Sequence, residues 1–201
     1  MQNCFVPGED KAVHSLPVNG GKDIIPGINS IQSKFDFVVA TKDWHTSDHV
    51  SFASQHNGKN PYDTVTLENG INQTLWPDHC VENSKGAEFV PGLQTSEIDK
   101  IIFKGNDPHV DSYSGFFDNA KLGKTDLDEY LKKNQVTEIY VVGLAADFCV
   151  KFTSLDGAEL KYKTYFVKDL TKAVFPDDIE VSTYEKLREA GVNIIESSEI
   201  K

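Results

Sequence analysis

Strand and helix patterns alternate along the second half of the chain, and this alternation constrains the fold more than any other feature. Short apolar runs typical of buried strands occur in "DKIIFKG", "EIYVVG", "KTYFVKD" and "VNIIES". Between them lie three helical segments, "TDLDEYLKKNQ", "DFCVKFTSLDGAELKY" and "DIEVSTYEKLREAG". The alternation predicts an α/β fold, a parallel sheet wrapped by helices.

The first half of the chain adds one helix and one strand to this pattern. The segment 21–35, "GKDIIPGINSIQSKF", has a helical apolar spacing, and Pro26 fits only in the first turn of such a helix. "FDFVVATKD" follows as a strand. Residues 46–97 have little periodicity and are predicted to form a long loop with at most short helices. For the helix after residue 124, Thr125 is the predicted N-cap, with Asp128 at N3.

Composition limits the class of protein. The chain has no repeat or linker, so we expect a single domain over residues 1–201. It has no apolar run near the ~20 residues of a membrane span, and its net charge of −11 argues against a nucleic-acid partner. Three cysteines are too few for a disulfide scaffold, which favours a reducing, cytoplasmic location.

A thiol and an amine follow two of the predicted strands, at the sheet edge where ligands collect in parallel α/β folds. Cys149 lies in the first turn of a predicted helix, where the helix dipole favours a thiolate, and Lys104 is placed to lower the thiol pKa further. The alternative, that Cys149 is a small buried apolar residue, stays open here. For Cys4 and Cys80, in predicted loops, that interpretation is favoured.

A carboxylate and two imidazoles suggest a metal site near the same edge. Asp43 and His45 are two residues apart and point to the same side of an extended segment. With the distant His79 they would form a two-histidine, one-carboxylate site with open positions. The plainer alternative is that these are polar loop side chains that form hydrogen bonds with the backbone. His49 is a further ligand, a partner of a ligand or an ordinary loop imidazole.

An aromatic-rich loop follows Lys104. Its rings, Tyr113, Phe116 and Phe117, are suited to walling a flat substrate. The alternative is that they simply plug the upper edge of the sheet.

Five segments in a fixed order give the chain a family resemblance. "MQNCF", "TKDWHTSDHVSFA", "TLWPDHCV", "IIFKGNDPHVDSYSGFFDN" and "VVGLAADFCVKFTSLDGAEL" resemble nicotinamidases of the isochorismatase-like cysteine hydrolase superfamily, over Met1 to about Asp169. The resemblance implies the isochorismatase-like α/β fold, a doubly wound and mainly parallel sheet with helices on both faces. It also implies hydrolysis of nicotinamide to nicotinate and ammonia through a cysteine thioester, in NAD salvage. Another isochorismatase-like amidohydrolase is the alternative.

The resemblance also implies residue roles. Cys149 is expected as the nucleophile and Lys104 as the catalytic lysine, with the backbone amides of Ala145 and Cys149 as oxyanion hole after a cis Leu144–Ala145 peptide. The ring contacts are expected from Phe5, Trp76, Tyr113 and Phe148, and the metal ligands are expected to be Asp43, His45 and His79. One divalent ion is implied, zinc ahead of iron or manganese. The family resemblance is also compatible with pyrazinamide as a further substrate. It is compatible with a homo-oligomeric assembly of the chain as well.

The start of the chain departs from the family pattern. There the motif reads Asp-Met-Gln-Asn-Asp-Phe and ends a central strand, and its first Asp is the third catalytic residue. Here that position falls one residue before Met1, and Cys4 replaces the second Asp. We therefore expect the numbered chain to lack a central strand and the catalytic aspartate, as in a truncated gene product. The alternative is a catalytically weak, nicotinamide-binding form in which another element fills the gap.

Overall fold

The computed structural model describes residues 1–8 and 16–201. Within these ranges the helices are α1 (Ile25–Gln32), α2 (Leu127–Lys133), α3 (Lys151–Glu159) and α4 (Glu185–Glu189). The strands are β1 (Val39–Asp43), β2 (Thr64–Thr66), β3 (Asn72–Thr74), β4 (Lys100–Lys104), β5 (Glu138–Leu144), β6 (Lys163–Lys172) and β7 (Asn193–Ile195). Helices and strands therefore alternate from β4 onward as predicted.

The larger strands pair in parallel, which confirms the predicted α/β class. β1 pairs with β4, with Asp43 opposite Lys104 at their carboxyl ends. β6 lies between β5 and β7 and is parallel to both. In the described residues these strands form a two-stranded and a three-stranded sheet, and no hydrogen-bonded pairing joins β1 to β5.

Helix α1 shows why the first helical segment folds where it does. Pro26 lies in its first turn, where a missing N–H costs nothing. Ile25, Ile28 and Ile31 are buried, so the apolar stripe faces the sheet. A Cβ on Gly27 would lie 2.4 Å from Leu170 Cδ2 on β6, so only glycine allows this close approach.

Two local predictions were wrong. Residues 46–97 are not only loop, because β2 and β3 form an antiparallel hairpin there. The strands escaped detection because each has only three residues. The N-cap of α2 is Asp126 rather than Thr125, although the Thr125 hydroxyl still accepts a bond from the Leu127 N–H at 3.1 Å.

Cys4 and Cys80 were predicted to be separate small buried residues, and this was wrong in one respect. Both are buried, but they form a disulfide, with Cα atoms 5.7 Å apart. The bond joins the turn Asn3–Phe5 to the loop that carries His79. The two cysteines are 76 positions apart in the sequence, so no local pattern indicated that they pair.

The main apolar core lies between α1 and the sheet, and a second cluster lies under α2 on the other side. The first contains Ile24, Ile28, Val167 and Leu170, and the second contains Ile102, Phe116, Leu127 and Leu131. Helices thus cover both faces of the strands. Across the part of the chain that the structure describes, no helix combines the length and apolarity that crossing a bilayer requires.

Candidate active site

The carboxyl ends of three strands bring an acid, an amine and a thiol together. Asp43 ends β1 and Lys104 ends β4, while Cys149 follows β5 in a π-helical turn over Ala146–Val150. Lys104 Nζ lies 2.6 Å from Asp43 Oδ1 and 3.6 Å from Cys149 Sγ, and it donates to the Ser112 carbonyl at 2.6 Å. The structure therefore brings together the residues that the strand-end argument selected.

The Cys149 thiol is not activated in the way its helical position predicted. Burial raises its pKa to about 11, and the nearby carboxylates of Asp43 and Asp111 add to this effect. The Lys104 ammonium and the backbone N–H of Ala145 lower the pKa, but they do not compensate for burial. At neutral pH the sulfur is a thiol, so its attack on a carbonyl needs a proton acceptor.

Lys104 and Asp43 form a buried ion pair. Burial works against both charges, yet Lys104 holds the pKa of Asp43 below its usual value, with His45 and His79 contributing. In turn Asp43 and Cys149 hold the pKa of Lys104 above its usual value. The pair is therefore ionised at neutral pH, and the ammonium is available beside the sulfur.

The predicted metal ligands converge on one point. His45 Nε2 and His79 Nε2 lie 3.8 and 3.9 Å from Asp43 Oδ2. The other ring nitrogens face carbonyls, with His45 Nδ1 2.7 Å from Gly105 O and His79 Nδ1 2.8 Å from Pro77 O. A carbonyl accepts only, so each Nδ1 carries the proton and each Nε2 presents a lone pair to the carboxylate.

This arrangement fits a divalent cation. Burial lowers the pKa of His45 to about 3 and also lowers that of His79, so both rings are neutral at pH 7. Two imidazole lone pairs and a carboxylate oxygen then face one another with no proton between them. Their mutual repulsion is relieved when a cation binds all three, and nitrogen and oxygen donors of this kind suit zinc, iron or manganese.

A small pocket of about 20 Å³ lies next to Cys149. Its lining includes the predicted ring contacts Phe5, Trp76, Tyr113 and Phe148, together with Asp43, His79, Ala145 and Cys149. The Trp76 and Phe148 rings meet edge-on with centroids 4.8 Å apart, and Trp76 Nε1 donates to the Tyr113 hydroxyl at 3.3 Å. The volume admits about one water, so a bound ring requires these side chains to part.

The backbone at the predicted oxyanion hole has the expected form. The Leu144–Ala145 peptide is cis, and the Ala145 backbone amide acts to lower the pKa of the Cys149 thiol. Of the other loop aromatics, Phe116 is buried in the second core cluster, so it plugs the fold, as the alternative interpretation held.

Three further residues of the site were not identified from the sequence. Asp111 is buried in the pocket wall, and Gln73 Nε2 donates to its carboxylate and to the Tyr113 hydroxyl, each at 3.2 Å. Asp147 accepts bonds from the N–H groups of Val174 and Phe175. No local pattern marks such residues, because their partners come from distant loops.

His49 lies beside the metal ligands. It is fully buried, its Nδ1 lies 2.7 Å from the Ser51 hydroxyl, and its ring centroid is 4.2 Å from that of His45. His45, His49 and Asp111 form a second set of ligand atoms lying within 4.8 Å of one another. The structure thus places His49 against a predicted ligand and leaves both the ligand and the partner interpretations open.

Comparison with known proteins defines the class. The sequence profile of the Isochorismatase domain family matches residues 1–199, so this chain belongs to that family. A nicotinamidase of Escherichia coli is 48% identical over 178 residues, covering 87% of this chain and 80% of the relative. The resemblance to nicotinamidases is therefore confirmed.

Solved structures of nicotinamidases and pyrazinamidases have the same fold as this chain. A nicotinamidase and pyrazinamidase of Acinetobacter baumanii is 38% identical, with a TM-score of 0.91 and coverage of 100% of this chain and 94% of that one. A pyrazinamidase of Pyrococcus horikoshii in complex with zinc is 34% identical, with a TM-score of 0.75 and coverage of 98% and 94%. The isochorismatase-like fold expected from the sequence is thus confirmed.

Proposed function

We propose that this protein hydrolyses nicotinamide to nicotinate and ammonia. The observation that carries the proposal is Lys104, whose Nζ contacts both the Asp43 carboxylate and the Cys149 sulfur at the wall of an aromatic pocket. Amide hydrolysis by a thiol needs a nucleophile, a fixed positive charge beside it and donors aimed at the developing oxyanion. The named nicotinamidase relatives support the choice of substrate.

The reaction proceeds through a thioester. Cys149 Sγ bonds to the amide carbon while the carbonyl electron pair moves onto oxygen, where the N–H groups of Ala145 and Cys149 stabilise it. The oxyanion then collapses, the C–N bond breaks, and the nitrogen takes the proton that the thiol gave to its acceptor and leaves as ammonia. Water adds to the thioester carbon and returns one proton to the Cys149 sulfur as the C–S bond breaks, which gives nicotinate and the free thiol.

The thiol proton needs an acceptor as the sulfur attacks. Asp43 is not available as the acceptor, because its carboxylate forms an ion pair with Lys104, with Oδ1 and Nζ 2.6 Å apart. The family resemblance assigns this proton to the first aspartate of the Asp-Met-Gln-Asn-Asp-Phe motif, and we propose a carboxylate in the same role.

Asp43, His45 and His79 would hold one divalent ion, zinc ahead of iron or manganese. When bound, the ion supplies a site that attracts the pyridine nitrogen. Phe5, Trp76, Tyr113 and Phe148 orient the ring and exclude water, which places the carboxamide at Cys149. Pyrazinamide has a nitrogen in the same ring position and is a proposed second substrate.

The cellular setting follows from the reaction. Nicotinamide is released when NAD is consumed, so its hydrolysis belongs to NAD salvage, and a cytoplasmic location fits this role. A homo-oligomer stays a prediction. Cys4 and Cys80 form a disulfide, whereas reduced thiols are the rule in the cytoplasm.

Ammonia release from nicotinamide by the zinc-loaded chain tests the proposal, with benzamide as the matched amide that lacks a ring nitrogen. Turnover of nicotinamide that depends on Cys149 supports it. Turnover of other amides but not nicotinamide would assign the chain to another isochorismatase-like amidohydrolase. Saturable nicotinamide binding without turnover would identify a non-catalytic binding protein, and either of these two results overturns the proposal for this chain.

A further inference from the structure

A cycle of four aromatic rings lies at the pocket beside Cys149. Trp76 and Phe148 line the pocket, and their ring centroids lie 4.8 Å apart. Tyr62 contacts Trp76 and Phe175 contacts Phe148, with centroids 6.0 and 6.1 Å apart. A contact between Tyr62 and Phe175, with centroids 5.9 Å apart, completes the cycle.

The four rings differ in exposure. Trp76 is only 2% exposed, whereas Tyr62 is 50% and Phe175 is 42% exposed. Neither of the two exposed rings is among the described residues that line the pocket. Tyr62 and Phe175 therefore lie on the solvent side of the cycle, and we call this pair the aromatic mouth.

The main chain of the aromatic mouth is fixed to its surroundings. The Phe175 N–H donates to the Asp147 carboxylate at 2.8 Å. The Tyr62 N–H donates to the carbonyl of Leu75, a fully buried residue, at 2.6 Å. Because the backbone is bonded at both positions, each ring can turn about its side-chain torsions while the loops stay in place.

Tyr62 also has an uncommon backbone conformation. Its φ of 74° lies in the left-handed region, which is unfavourable for a bulky residue. The Leu75 N–H donates to the carbonyl of the next residue, Asp63, at 2.8 Å, which helps to hold this turn. Backbone strain of this kind is concentrated at ligand clamps and active sites. It favours a functional role for the Tyr62 ring over simple surface packing.

The inner and outer rings differ in how firmly they are held. The pocket of about 20 Å³ holds about one water, so a substrate ring enters only if side chains move. Trp76 is buried and bonded through its indole N–H to Tyr113. Tyr62 and Phe175 contact their neighbours edge-on, and each such contact is weak. The outer rings therefore move more easily than Trp76.

We propose that Tyr62 and Phe175 control the entry of a planar aromatic amide into the pocket. Both rings turn outward to admit the amide and then return to cover it, so they set the rates of entry and release. They take no part in making or breaking bonds. The identity of the amide rests on the proposed function, whereas the role of the aromatic mouth does not depend on the chemistry that follows.

Rates of ligand binding test the proposal on the intact, zinc-loaded chain. Cys149→Ala prevents reaction, and Trp44→Phe leaves Trp76 as the reporter of the two tryptophans in the sequence. Stopped-flow fluorescence measures association and dissociation of nicotinamide and of benzamide. In this background we expect Tyr62→Ala and Phe175→Ala each to raise both rate constants by about fivefold or more. Because both directions accelerate, the Kd should change by less than about twofold.

Two control variants separate entry from general loosening. Tyr62→Phe keeps the ring and should retain the parental rates. Phe37→Ala removes another exposed ring, 38% exposed, which packs edge-on against Tyr130 rather than in the cycle. It should also leave both rate constants unchanged. Zinc content and the urea midpoint of each variant show that the fold is retained.

Three results would overturn the proposal. Faster dissociation alone, or no change in either alanine variant, would make the two rings ordinary wall contacts. Equal acceleration in Tyr62→Phe or Phe37→Ala would indicate general loosening. No saturable binding of either amide would overturn both this proposal and the proposed function. Accelerated binding of benzamide without any binding of nicotinamide would support the aromatic mouth and contradict the proposed function.

Discussion

The two oxygens of Asp43 face different partners, and Lys104 holds one of them. Oδ1 lies 2.6 Å from Lys104 Nζ, whereas Oδ2 faces the two imidazoles of the metal site. One carboxylate thus contacts both the ammonium beside the Cys149 sulfur and the two imidazoles that could hold a metal ion with it. Because both Asp43 and Lys104 are buried, neither can lose its partner without leaving an uncompensated charge.

Lys104→Met should destabilise the fold as well as the site. The change leaves the Asp43 carboxylate buried without its ammonium, and removing one member of a buried pair costs about 3–5 kcal/mol. Urea unfolding of the metal-free protein measures the loss. Lys100→Met, at the start of the same strand, is the control and should change the free energy of unfolding by less than about 0.5 kcal/mol. Equal effects of the two changes would show that the ion pair carries no special stability.

His79→Ala should weaken metal binding. Loss of one of three ligands is expected to lower zinc affinity by at least about tenfold, since even changes to residues that only support a ligand have effects of that size. Zinc calorimetry on the apo-protein gives the affinity. His109→Ala removes an exposed imidazole that lies outside the ligand set and should leave the affinity unchanged. An unaltered affinity in His79→Ala would exclude His79 as a ligand.

Cys149→Ala should separate catalysis from metal binding. The variant lacks the nucleophile, so ammonia release from nicotinamide should fall by a factor of about 10³ or more. Zinc content should stay at the parental level, because the sulfur is not among the three converging ligand atoms. Simultaneous loss of zinc would mean that Cys149 belongs to the metal site, and retained turnover would exclude the thioester route.

Lys151 should make stability depend on pH. It is buried, and burial lowers its pKa to about 8, with Lys186 adding to the effect. Between pH 8 and the ordinary value of 10.5, the unfolded chain binds the proton more tightly than the folded chain does. The contribution of this group to stability therefore rises with pH in that window and is lowest below it.

Lys151→Met removes this dependence. We expect the variant to be more stable than the parent at pH 7, by about 1 kcal/mol, and the difference to narrow as the pH approaches 10. Chemical unfolding at several pH values measures it, with the exposed Lys133→Met as control. A difference that stays constant with pH would show that Lys151 is not titrating, and that only the loss of its bond to the Ser182 carbonyl matters.

Sequence reasoning predicted the site residues that lie at the ends of β-strands. Asp43, Lys104 and Cys149 each follow or end a strand, and parallel strands end at a common edge, so their meeting could be predicted from local patterns. His79 was proposed as the third ligand from residue type alone, with a loop hydrogen bond as the alternative, because it lies in an irregular loop whose position the local pattern does not give. The same reason hid Asp111 and Gln73, whose contact depends on how two distant loops pack.

The protonation of Cys149 shows a second limit. Its position at the start of a helical segment predicted a lowered pKa. The pKa of the thiol is instead raised, because burial outweighs the effects of the helix dipole and of Lys104. Burial is a property of the whole fold and cannot be obtained from neighbours in the chain. The expectation of a single domain stays a prediction.

Asp147 attaches one wall of the pocket to the turn that carries Cys149. Its carboxylate accepts from the backbone N–H groups of Val174 and Phe175, at 3.0 and 2.8 Å, and Val174 lines the pocket. Because the bonds use main-chain donors, they do not depend directly on which side chains stand at positions 174 and 175, except that proline removes the N–H. A smaller side chain at position 174 would therefore widen the pocket while its backbone stays attached to the turn that carries Cys149.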